Sequence, residues 1–152
     1  MDPLIETWQI ANRLNSFLLA GINESFLSDQ LGGKGRTVAE QFAHLHQVRL
    51  MWLHAAAPDL ETGLSKFEKG KSVSVKMLEE ALAASGSAIA QLLERGLTDG
   101  RIKGFKPHPQ AFIGYLIAHE AHHRGQIIAT LKANGHLPDK KTLFGLWEWG
   151  VR

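Results

Sequence analysis

No cysteine occurs anywhere in the chain. That absence excludes a disulfide framework, a cysteine nucleophile and thiolate metal ligands, so a metal could rest only on His, Asp or Glu. Long apolar runs are missing too, and none approaches the length needed to cross a bilayer. Met1-Asp2-Pro3 leads into an amphipathic stretch without a basic n-region, so no signal peptide is expected and a cytoplasmic location is the default. Charge of one sign is scarce: the formal net charge is only +2. Lys66, Lys69, Lys71 and Lys76 alternate with Glu61, Glu68, Glu79 and Glu80, which describes a solvated surface and not a nucleic-acid stripe. Strand-like alternation is nearly absent as well.

What is present is helical periodicity with clear punctuation. The 152 residues suit one domain, 1–152, able to bury a core of its own. A first helix is expected from Pro3 to Ala20, with Ile5, Trp8, Leu14, Phe17 and Leu18 on one stripe and Gly21 as its stop. A second should begin near Thr37, where Glu40 completes a capping-box spacing, and end before Pro58. A connection from Pro58 to Val73 follows, long enough to cross over the bundle. The third helix is expected over Ser74–Leu97, weakened at Gly86 but unbroken. Gly100–Pro107 reads as a loop or short extended piece. The fourth helix should start at Pro109 and stop at Asn134-Gly135. Leu143, Phe144, Leu146, Trp147 and Trp149 carry enough apolar surface that the tail should dock. The expected architecture is all-α: a four-helix bundle with a long crossover between helices 2 and 3 and a short docked C-terminal segment.

Chemistry concentrates in the fourth helix, in FIGYLIAHEAHHRGQIIAT. His119 and His123 lie one helical turn apart and interrupt the apolar stripe of Phe112, Leu116 and Ile127. Two imidazoles at that spacing can share one ion, and burying them without a partner would be costly. His122 is a rival partner for His119, better suited to a supporting or partly exposed place. His119-Glu120-Ala121-His122-His123 also matches HExxH formally, with Glu120 as the base of a zinc peptidase. Gln126 and Ala129 stand where the extended signature wants Gly and His, and no strand is expected to hold a peptide, so that reading is set aside. A third ligand would come from QFAHLHQVRLMWLH on the second helix. Core position favours His46 and a semi-polar pocket favours His44; the pattern alone leaves both open.

TVAEQFAHL followed by HEAHHRGQI resembles the DinB-like (YfiT-like) superfamily of metal-dependent helical bundles. The resemblance extends over Ala11-Asn12-Arg13-Leu14, the long second connection and Ala133-Asn134-Gly135. Carried over by position, it implies the metal ligands His44, His119 and His123. It also implies a homodimer and a small-molecule substrate, with a low-molecular-weight thiol as cosubstrate. Three imidazoles leave room for an exogenous ligand on the ion, the layout of a catalytic site. Zinc or nickel suits these donors best, with iron or manganese as alternatives. The expected function is a metal-dependent thiol S-transferase or hydrolase; a non-catalytic metal or small-ligand binding protein is the alternative. Arg124 would pair with a neighbouring Glu or bind a substrate carboxylate. Gln126 and Glu120 could each support an imidazole, and Gln41 could line the pocket or lie on plain surface.

Overall fold

The computed structural model describes residues 1–152. It is all-helical, with no strand. Five α-helices follow in chain order: α1 (Pro3–Ala20), α2 (Val38–Ala56), α3 (Val75–Asp99), α4 (Pro109–Ala133) and α5 (Lys140–Gly145).

Local chemistry explains the boundaries. Asp2 caps α1 through its side chain, with Pro3 in the first turn. Thr37 and Glu40 form the full capping box of α2, at 3.1 and 2.9 Å. Ser74 caps α3, which continues to Asp99, two residues beyond the expected Leu97, and ends on Gly100 in the left-handed conformation. Gly100–Pro107 is a tight turn closed by a bridge between Ile102 and Phe105. Short 3₁₀ turns at Glu24–Phe26 and Pro58–Glu61 have no apolar period and leave no trace in the pattern.

α1 and α2 each pack on both α3 and α4. The apolar core falls into two clusters. One gathers Trp8, Leu53, Ile89, Phe112 and Leu116; the other gathers Leu18, Phe42, Leu82, Ile127 and Leu131. Among the buried polar side chains, the four least exposed come one from each long helix: Asn15, Arg49, Ser85 and Glu120, all at 1 % exposure or less. The tail docks less completely than its composition suggests. Arg152 lies over the Phe17 ring and Thr142 is buried, but Phe144 and Trp147 face outward, Trp147 at 82 % exposure. A six-residue helix has only one side to press against α1, so its apolar residues cannot all be covered.

Candidate metal centre

The antiparallel pairing of α2 and α4 brings His44, His119 and His123 together. One ring nitrogen from each lies within 4.8 Å of the other two. The ring centroids stand 4.6 Å apart for His44–His123 and His119–His123, and 5.3 Å for His44–His119. Three nitrogens sharing one ion tetrahedrally at about 2.0–2.1 Å stand about 3.4 Å apart, so a closure of at most about 1.4 Å seats all three. The donor set fits a divalent metal.

A hydrogen bond fixes the innermost ring. His123 Nδ1 stands 2.7 Å from Gln41 Oε1. An amide oxygen only accepts, so Nδ1 carries the proton and the lone pair of Nε2 is left for a ligand bond. Gln41 and His44 are one turn apart on α2, so the same helical face supplies both a metal-competent ring and the support for another. The support expected of Gln126 is thus provided by Gln41, while Gln126 is exposed and its carbonyl accepts from Thr130. Replacing Gln41 by Leu is expected to weaken zinc binding about 10–100-fold in a chelator competition. A change below about threefold would deny Gln41 this role.

Electrostatics favours neutral rings. Burial lowers the pKa of His44, and the charge of Arg36 and the ring of His119 act in the same direction. Burial also lowers His119; Glu120 opposes that shift, while His122, Arg36 and Arg49 reinforce it. His123 is pushed down to about 4, chiefly by burial and then by His119, His44, His122 and Arg36. Neutral imidazole is the form that binds metal, so protons compete weakly here. The same shift sets a stability trend. Between about pH 4 and pH 6.5 an unfolded chain holds a proton on His123 that the folded one has lost, so metal-free stability rises with pH across that window. The urea midpoint should climb accordingly, and more steeply in wild type than in His123→Gln. Equal slopes would contradict the assignment.

The neighbouring residues divide sharply. His46 is 2 % exposed and turns away from the group, donating from Nε2 to the Ser65 carbonyl at 2.8 Å with its ring edge against Phe67. It ties the connection after α2 to the bundle. His122 is exposed beside His123, at 5.1 Å between centroids. Glu120, 1 % exposed, neither faces solvent nor supports an imidazole. Arg49 grips it with two bonds, 2.7 Å to Oε1 and 2.9 Å to Oε2, and Asn15 donates to Oε2 at 2.7 Å. Both its oxygens are engaged, which leaves it no part as a peptidase base. Arg124 reaches Glu120 only indirectly, donating to Asn15 Oδ1 at 2.8 Å. Arg49 also bonds the Leu82 carbonyl and Ser85, so the whole network ties four helices together behind the histidines.

Comparison with curated proteins found no match. The family model described as DinB family matches residues 2–149, nearly the whole chain, and the protein belongs to the DinB family.

Proposed function

We propose that the protein is a divalent-metal-dependent enzyme in which His44, His119 and His123 hold the ion and a small-molecule substrate meets it from outside. The convergence of three imidazoles, one oriented by Gln41, is the observation that carries this reading. No fourth His, Asp or Glu joins the group. Three protein donors fit a centre that also admits substrate. A bound ion would supply Lewis acidity, lowering the pKa of a water or a low-molecular-weight thiol.

The chain's own residues do the rest. Gln41 keeps the His123 lone pair aimed at the site, and burial keeps the rings unprotonated. Tyr115 stacks beside His119, 6.2 Å between centroids, and offers an apolar wall along one side. The buried Arg49–Glu120 pair holds α4 against α2 so that the imidazoles stay in register. In the thiol reading the S–H proton is released, a new S–C bond forms on an electrophile, and its leaving group departs with the bonding pair. Zinc or nickel suits the imidazole donors. The same reading takes 1–152 as a single domain, its four long helices as a four-helix bundle crossed by the connection between α2 and α3, and a homodimer as the working form.

The test is a panel of low-molecular-weight thiols with electrophiles on protein of measured full metal occupancy. Turnover that disappears in His119→Ala is expected. No turnover with any pair would turn the reading to metal or ligand binding without catalysis.

A further inference from the structure

The histidine group is continued on one side by a surface of aromatic rings. α2 and α4 run antiparallel along it: Gln41 meets His123, His44 sits against His119 and His123, and Trp52 meets Phe112 and Tyr115. Tyr115 stands one turn before His119 on α4. Its ring lies 6.2 Å from that of His119 between centroids and within 19° of parallel to it. Tyr115 in turn meets Phe105 at 5.5 Å and Trp52 at 5.8 Å. Ring contacts therefore lead without a gap from a candidate metal ligand to the turn between α3 and α4.

This surface is only half covered. Phe112, beneath it, is fully buried and belongs to the core, but His119, Tyr115, Trp52 and Phe105 are each half-buried. Nothing on α4 overhangs Tyr115. Its helical neighbours Ala111, Gly114 and Ala118 are too short to reach across a phenol ring, and a Cβ added at Gly114 would meet nothing within 4 Å. Uncovered ring surface beside a candidate metal ligand suits a small-molecule site, in which a few polar or metal groups fix one end of a ligand and aromatic side chains receive the rest. A ring laid there would remove apolar area from water on both partners, and ring pairs gain further from their offset or edge-to-face geometry.

We propose that Tyr115 is a specificity-determining residue: the ligand that meets the three-histidine group carries an aryl group, and that group rests on the Tyr115 ring with Trp52 and Phe105 beside it. The inference rests on the metal-site reading above and names the class of its substrate. Because Tyr115 borders His119 directly, the aryl group and the atom that reaches the ion belong to one small molecule with a short linker between them. A mere cover over Phe112 would make a different demand, since any apolar side chain of similar size fills that role.

The test uses cobalt(II)-loaded protein, titrated with 2-phenylethanethiol and with ethanethiol while the visible cobalt spectrum is followed. Comparing the ratio of the two affinities between wild type and variant cancels the intrinsic difference between the thiols. The wild-type ratio should exceed that of Tyr115→Ala by about tenfold. Tyr115→Phe, which keeps the ring, should retain the wild-type ratio. Tyr115→Leu keeps the core covered but removes the ring face, so its ratio should fall below that of Tyr115→Phe; it carries the test if Tyr115→Ala does not fold. Cobalt uptake with the same ratio in wild type and Tyr115→Leu, or with no spectral response to either thiol, overturns the role of Tyr115 and leaves the metal site standing. Failure to take up cobalt at all removes the metal site, and the aryl seat with it.

Discussion

Glu120→Ala should destabilise the protein by about 3–5 kcal/mol, because it leaves Arg49 buried without its counter-charge. Arg49 is fully buried, and its two bonds to Glu120 are the shortest route by which that charge is met. Asn15 Nδ2 loses its acceptor at the same stroke, and Arg124 is left bonded to an asparagine that Glu120 no longer holds. Native domains are stable by only about 5–15 kcal/mol, so the loss is a large share of the total. Urea unfolding with the slope checked for two-state behaviour measures it. The replacement of both partners by apolar residues, Arg49→Met with Glu120→Leu, should recover much of the loss, since no charge is then stranded. A cost below about 1 kcal/mol for Glu120→Ala, the range of an exposed pair, would mean that the network is not closed to water.

The second large effect concerns the imidazoles. Changing His44, His119 or His123 singly to Ala should weaken zinc binding by more than the roughly 10–100-fold expected when only a supporting group such as Gln41 is lost. His123→Ala removes a ring that is 6 % exposed and already oriented, so it should be the most damaging of the three. His46→Gln separates position from composition. It removes a histidine two residues from His44 on the same helix but leaves zinc affinity near wild type, because that ring is bonded to Ser65. Its effect should appear in stability, through a looser connection after α2. Isothermal titration against a competing chelator gives all four affinities. If His46→Gln loses zinc as fully as His44→Ala, the two roles have been exchanged.

Much of this was legible in the residues because helices announce their ends. Pro3, Thr37 with Glu40, Ser74, Pro109 and Gly135 each mark a boundary by a local rule, and the four long helices begin and end within about two residues of those marks. His119 and His123 were visible because one helix carries both. The choice between His44 and His46 was not, since both interrupt apolar stripes on α2 and only the partner helix tells which face meets α4. The resemblance pointed to His44, and the structure brings that residue to the other two. Gln41 and the Asn15–Glu120–Arg49 network were illegible for a related reason. Its members come from different helices, and read alone each looks like an isolated exception to a stripe. A sharper signal lies in their coincidence: Asn15, Arg49, Ser85 and Glu120 all fall inside their helices, where apolar residues flank them on both sides. The outward placement of Phe144 and Trp147 had no signature, because composition cannot say which face of a short helix finds a neighbour.

The most direct test is the metal content of untagged protein that has never met a chelating column, measured by elemental mass spectrometry beside a variant with His44, His119 and His123 all changed to Ala. Near-stoichiometric zinc or nickel in wild type, absent from the variant, is the predicted result. A wild type that carries no metal and takes up none from zinc, nickel or manganese would contradict the central claim.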